Sequence, residues 1–449
     1  MNRILTCLTC FRKITTALFW FVELALSVSF LLTASLSMAE EYEFDLSEIE
    51  KKPYHIGGYG EFRPVLLGLD RNAALHNLKF YDRDEGDTLD EYNFELQLDG
   101  RYQKGISRFF VRLNSDLRKG YTGWSGKTSV YEGYLSIEPS SSLNFDAGKK
   151  ALRWGKGYAR NPVDFVGRPK DPYDPELNLE GFVMASADYI KSFDGPLKTF
   201  SFTPVLLPVY KDLNDDFGEE DGVNFATKLY FLYYDTDIDL MFLAGGSKAS
   251  RVGVDFSRNI STNFEIHGEF AWIKDFKKSY IDENGQIFET ESDVASYLIG
   301  LRYLNAVDTT FILEYYHNGT GFTRREMEDY FSFIRKGYEI YSSTGDDTLL
   351  KKATDLSKNQ YGKMTPMRNY LYLRIIQKEP FDLLYFTPSI ISMFNMDDQS
   401  FTLTPELLYT GITNLELRLR GALIAGKTFS EYGEKQNDYR IEFRVRYYF

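Results

Sequence analysis

Chemistry in this sequence must come from a short list of side chains. Its histidines are His55, His76, His267 and His317, and its cysteines are Cys7 and Cys10. His267 stands two residues from both Glu265 and Glu269, and in an extended segment such residues share one face. A carboxylate–histidine pair joined by a serine could form a hydrolase site. No GxSxG, HExxH or other nucleophile-bearing motif accompanies it. Both cysteines lie near the N-terminus and form neither a lipobox nor a C-x-x-C-H haem attachment site. The side chains therefore point away from an enzyme and imply no cofactor. Acidic clusters occur at Asp82, Asp84, Glu85 and Asp87, along Asp212 to Asp221, and at Asp397-Asp398. Oxygen-rich loops can hold Ca²⁺ or Mg²⁺, but these spacings fit no EF-hand, and solvated loops explain them. No metal site is assigned.

The other recurring chemistry is guanidinium. Arg440, Arg444 and Arg446 alternate with apolar residues around Glu442, and Arg418 and Arg420 follow Glu416. Arg63 follows Glu61, Arg101 follows Glu95 and Asp99, and Arg108 and Arg112 share one row. Rows of this kind allow two readings. The arginines can pair with neighbouring carboxylates and stiffen a wall, or they can line a path and guide anionic solutes. The two readings are compatible.

Side chains in alternating rows need strands to carry them. The chain has 449 residues, 43% hydrophobic, 16% aromatic and 26% charged, with net charge −13 and mean hydropathy −0.35. This excludes a multi-helix membrane protein, a disulfide scaffold and wholesale disorder. Nucleic acid is not expected as a partner of so acidic a chain. From Tyr54 onward about 18 segments alternate with period two. Tight turns at 103–105, 139–140, 235–236, 259–260 and 411–412 alternate with longer stretches at 64–90, 115–128, 151–180, 207–221, 273–292, 318–366 and 425–437. The expected fold is all-β: a transmembrane antiparallel β-barrel of about 18 strands (16–18), with short turns on one side and long extracellular loops on the other. Soluble sandwiches would not enforce that alternation. Phe94, Leu96 and Leu98, then Phe225, Leu229, Phe231 and Tyr233, then Leu403, Leu407 and Tyr409, form the outward rows. Closing the barrel sets the last strand beside the first, so the arginines of strands seventeen, eighteen, one, two and three share one wall. Glu265, Glu269 and Glu314 then lie on the far side.

The first 39 residues read as a signal peptide. Arg3, Arg12 and Lys13 precede an apolar stretch from Ile14 to about Leu36, and Ser37-Met38-Ala39 fits a cleavage site. A membrane anchor is the alternative, although Glu23 interrupts the stretch and no basic cluster follows it. Residues 40–53 form a short periplasmic segment, too short for the plug domain of a TonB-dependent receptor, and 54–449 form the barrel. Two loops could narrow the lumen. Residues 151–180 carry Pro162, Pro169, Pro172 and Pro175 and the candidate constriction residues Arg153, Trp154, Lys156, Arg160 and Asp164. An external position for this loop is the alternative. In 318–366, Thr323 and Glu326 make a capping box, Phe322 and Met327 a hydrophobic staple, and Met327, Tyr330, Phe331, Ile334 and Tyr338 one helix face ending near Gly337. The helix is expected to pack as a lid, or alternatively to bind a partner.

The final strand, from Tyr439 to Phe449, resembles the C-terminal signature strand of bacterial outer-membrane barrels, whose last aromatic is read by the barrel-assembly machinery. The architecture resembles large single-chain porins. GKKALRWGKGYARNPVDF, residues 148–165, resembles a stretch of alginate-export-type and uncharacterised porin-like outer-membrane proteins. The resemblance implies an outer-membrane channel, monomeric or trimeric, set among lipid and lipopolysaccharide and passing small hydrophilic solutes, anionic ones included. A structural or conduit barrel, sheathing another protein or assisting polysaccharide export, is the second reading.

Overall fold

The computed structural model describes residues 53–219 and 222–449, so the signal-peptide reading of 1–39 and most of the segment 40–53 lie outside the described residues. Within them, strands and short turns alternate along the chain. The first six strands are β1 (Tyr54–Leu69), β2 (Thr88–Lys104), β3 (Ser107–Gly120), β4 (Gly123–Ser140), β5 (Leu143–Lys150) and β6 (Phe182–Ser192). Next come β7 (Leu197–Val209), β8 (Gly222–Tyr233), β9 (Thr236–Ala244), β10 (Arg251–Ser261), β11 (Phe264–Ile281) and β12 (Ile287–Leu304). The last six are β13 (Thr309–His317), β14 (Asn369–Gln377), β15 (Phe386–Asn395), β16 (Phe401–Ile412), β17 (Leu415–Ala425) and β18 (Asn437–Tyr448). Each pairs antiparallel with its sequence neighbour, and β18 pairs with β1 to close an 18-stranded barrel. At the seam, the Phe449 N–H donates to the Gly58 carbonyl, and the Gly58 N–H to the Phe449 carbonyl, both at 3.1 Å.

Closure leaves no strand edge, and the outward rows carry apolar side chains. Phe94, Leu96 and Leu98 are exposed, as are Phe225, Tyr233, Leu407 and Tyr409. A continuous exposed belt of this kind is a lipid-facing surface. The turns at one end are short. Tyr234 and Asp235 both take positive φ, 45° and 56°, the two-residue geometry whose twist suits a hairpin.

Two expected long loops are corrected. Residues 115–128 and 273–292 are largely strand: β3 and β4 stay paired to Gly120 and Gly123, and β11 and β12 to Ile281 and Ile287. There polar residues interrupt the apolar alternation while the ladder continues, and the inner side of the second hairpin packs on the helical loop, with Ile281 fully buried and Lys278 paired with Glu326. Lys277 opposite Glu291 is one such polar pair. The remaining long connections, 70–87, 151–181, 210–221, 318–368 and 426–436, share the end opposite the short turns.

Helices α1 (Ala74–Phe80), α2 (Arg324–Thr344) and α3 (Thr348–Leu356) lie in two of these loops. The capping box of α2 is present: Thr323 Oγ1 accepts from the Glu326 N–H, and Glu326 Oε2 from the Thr323 N–H. Gly337 does not end the helix. It lies against Leu349 and Leu350, where a Cβ would stand 3.1 Å from Leu349, and Gly345 ends α2 with φ 78°. A glycine that admits a close helix contact and one that terminates a helix look alike in sequence.

Candidate functional site in the barrel interior

The inward rows build two unlike walls. Across β17, β18 and β1, Glu416 faces Arg446, Arg418 faces Arg444, Arg420 faces Glu442, and Glu61 faces Arg446. Neighbouring charges pair closely. Arg446 Nη2 stands 2.7 Å from Glu61, Arg440 2.7 Å from Glu442, and Arg420 2.5 Å from Glu406. Arg418 is 3.1 Å from Glu416, and Arg63 is 3.6 Å from Glu61. Arg112 bridges Asp99 and Glu132 at 2.8 and 2.9 Å. Arg444, only 2% exposed, touches Asp174, Glu442 and Glu61 at 2.8, 3.3 and 3.6 Å. Arg101 and Arg108 stand apart from this ladder beside the turn at 105–106. Arg101 donates to Gln103, and Arg108 pairs with Glu138.

The far wall is acidic. Asp239, Asp255 and Glu269 lie in register across β9, β10 and β11, and β13 adds Glu314. His267 is fully buried beside them. Its Nε2 is 2.9 Å from Glu314 Oε1 and its Nδ1 3.5 Å from Glu265. Ser257 Oγ donates to Glu265 rather than to His267, so this serine does not make the pair that a hydrolase site of that kind would need.

Residues 151–181 connect these walls. At the acidic wall, the N–H groups of Lys156 and Gly157 donate to Glu269 Oε1, both at 2.6 Å. Those of Tyr158 and Ala159 donate to Glu314 at 2.6 and 2.9 Å. Lys156 Nζ reaches Asp239 at 2.8 Å. At the basic wall, Asp174 meets Arg444, Tyr173 bonds Thr402 at 2.6 Å, and Asn178 donates to Gln97 at 3.1 Å. The segment thus contacts inward groups on opposite sides of the barrel.

Its body is packed rather than hydrated. Trp154, Val163, Phe165 and Val166 cluster with Met184, Val205, Leu207, Val209, Met241 and Leu243. Gly253 makes room for this, since a Cβ there would meet Val163 and Phe165 at 2.9 Å. This explains why β7 is apolar on both faces: Leu206 is exposed outward, while Val205 and Leu207 are buried under the loop. Of the five candidate constriction residues, Trp154 is core. Arg160 donates to the Lys170 carbonyl, Arg153 to the Leu177 carbonyl, and Lys156 pairs with the wall. Burial pushes the Asp164 carboxyl up to about 7, although N–H groups of Gly167 and Trp154 oppose the rise. Tyr173 and Asp174, which sequence reading did not single out, meet the basic wall instead. The prolines flanking them, Pro172 and Pro175, were the available signal.

The mouth is filled by the helices. Met327, Tyr330, Phe331 and Ile334 of α2 are buried with inward residues Ile312, Tyr370, Tyr372, Ile391 and Met393, and with Tyr432. Tyr361 stacks between Phe322 and Tyr330, with ring centroids 4.1 and 3.9 Å apart. A cavity of about 320 Å³ remains between residues 171–177 and the basic wall. Arg63, Arg420, Lys435, Arg440 and Arg444 border it against Asp171, Asp174 and Glu442, and Tyr173, Met364 and Tyr432 add apolar surface.

No family model matches the chain, and no curated protein matches it. Among solved structures, it is similar to the Pseudomonas aeruginosa outer membrane protein OpdK, with 8% identity and TM-score 0.48, covering 88% of this chain and 99% of that one. It is similar to P. aeruginosa OccK11 (OpdR) at 13% identity and TM-score 0.48, covering 88% and 95% of the two chains. A mutant Rh. blastica porin aligns at 10% identity and TM-score 0.43, covering 88% and 100%.

Proposed function

We propose that this protein is an outer-membrane channel that passes small hydrophilic solutes, anionic ones included, by diffusion along its arginine-rich wall. The observation that carries this reading is the cavity between residues 171–177 and that wall, where five cationic side chains face three carboxylates. An aqueous path through a lipid-spanning barrel tolerates charges that the lipid face would not. The segment 151–181 acts as the constriction, and the helices of 318–368 restrict the mouth. Residues 1–39 direct export, and residues 40–53 precede the barrel in the periplasm. Assembly reads the strand ending in Phe449, the outer belt meets lipid and lipopolysaccharide, and the barrel works alone or as a homo-oligomer. The motif at 148–165 supports kinship with alginate-export-type proteins. Planar-bilayer recording tests the reading: folded protein is expected to give discrete unitary currents, and silence from folded protein would remove it.

A structural or conduit barrel is the second reading. The filling of the interior by residues 151–181 and of the mouth by α2 favours it, because both reduce open bore.

A further inference from the structure

Between them, the two far-wall carboxylates hold four consecutive backbone N–H groups of one loop. Lys156 and Gly157 donate to Glu269, and Tyr158 and Ala159 donate to Glu314. Glu269 also accepts from the Asn161 side chain at 2.7 Å and from the Val163 N–H at 3.4 Å. Glu269 and Glu314 are 3% and 1% exposed. A carboxylate accepts several such bonds at once, and charge-assisted bonds are stronger than neutral ones. Successive N–H groups of a loop form a concavity suited to an anion; here the anions are wall side chains.

The loop sequence is shaped to this contact. Gly155 has φ +97°, and a Cβ on it would stand 2.7 Å from Glu269 Oε1. A Cβ on Gly157 would stand 2.1 Å from the Arg160 carbonyl and 3.2 Å from Glu269 Oε1. The two glycines of the W-G-K-G-Y stretch thus let the backbone itself reach the wall carboxylates. His267 backs the clamp from below, with Nε2 against the same Glu314 oxygen that receives the Tyr158 N–H.

We propose that Glu269 and Glu314 are positioning residues for conduction: a double carboxylate clamp that fixes the strap 155–163 across the bore and so sets the size of the opening. This rests on the channel reading above. Neither residue touches the cavity beside the basic wall, so their action on solute flow is through the strap.

The test uses the full chain refolded in detergent and in bilayers, with E269A/E314A, the single variants E269Q and E314Q, and G157A. The control is E95A, which removes an inward carboxylate bonded to Tyr59 within its own wall. Trypsin reports strap release, because Arg153, Lys156 and Arg160 lie in or beside the strap. Wild type and E95A are expected to resist cleavage there. E269A/E314A and G157A are expected to be cut between 153 and 160 and to show larger, noisier unitary currents. If E269A/E314A folds as a barrel yet stays protected with unchanged conductance, the clamp is refuted. If that variant does not fold, the Gln variants and G157A decide by the same two readouts, since each leaves the wall packed. If wild type carries no current, the channel reading fails, while the cleavage pattern still reads the clamp.

Discussion

Glu431 is a carboxylate placed where carboxylates are costly. It is 1% exposed in the loop 426–436, with Oε2 accepting from Tyr370 Oη and Asn395 Nδ2, each at 2.7 Å. Burial pushes its pKa up to about 7, and nearby Asp398 adds to the rise while Lys435 and the two bonds oppose it. Because the folded value lies above the unfolded one, the stabilisation is complete below about pH 4.5 and lost as pH rises through 7. A shift of this size corresponds to about 3 kcal/mol between the extremes. Wild-type protein should therefore melt at a lower temperature at pH 8 than at pH 5, and E431Q should flatten that slope; an unchanged slope in E431Q would assign the effect elsewhere. The sequence could not mark Glu431, since nothing in Ser-Glu-Tyr-Gly distinguishes a buried acid from the many exposed ones. The arginines were legible as a row, because strand periodicity alone places them. Their partners were only partly so: Glu416 and Glu442 share the row, whereas Asp174 arrives from a loop more than two hundred residues away in sequence.

At the level of elements, Glu434 ties three loops into one cap. It is fully buried and accepts from the Ala74 N–H at the start of α1, from the Phe429 N–H, and from Arg335 of α2 at 2.7 Å. The Ala74 N–H would otherwise be buried and unpaired, at a cost of about 1–3 kcal/mol, and the Arg335 bond is charge-assisted. E434A should loosen the cap without opening the barrel. The expected outcome is faster amide exchange in 70–80, 324–344 and 426–436 with the strand amides unchanged; exchange that rises in 426–436 alone would show that the loops move independently. The existence of α2 was legible from its capping box and apolar face, both local features. Its length was not, because Gly337 meets α3 rather than solvent. The upper hairpins at 115–128 and 273–292 were misread for a related reason: the ladder continues where polar residues such as Lys277 and Glu291 interrupt the apolar alternation, and the packing of Ile281 is supplied by a distant loop.

For the whole molecule, the interior field is divided between an arginine ladder and an acidic wall, with a strap between them. Most of the ladder is neutralised by its own carboxylates, so in the proposed channel selectivity would fall to the groups at the cavity that carry the local excess. Lys435 and the half-exposed Arg440 border it. Replacing both with glutamine should move the reversal potential in a salt gradient toward cation preference, more so at low ionic strength, where screening is weaker. Replacing Arg418, Arg420, Arg444 and Arg446 instead should chiefly lower stability, because each leaves buried acids unpaired; a larger change of ion preference from these four than from Lys435 and Arg440 would reverse that assignment. The sequence by itself determined the barrel, its approximate strand number, its outward belt and the side on which the arginines stand. All of these follow from a period-two code in which each strand's register is fixed by lipid on one face. Only the tertiary structure decided what fills the interior. The descent of 151–181 onto Glu269 and Glu314, its apolar packing under β7, and the closing of the mouth by α2 depend on contacts between distant segments, and no local periodicity encodes those.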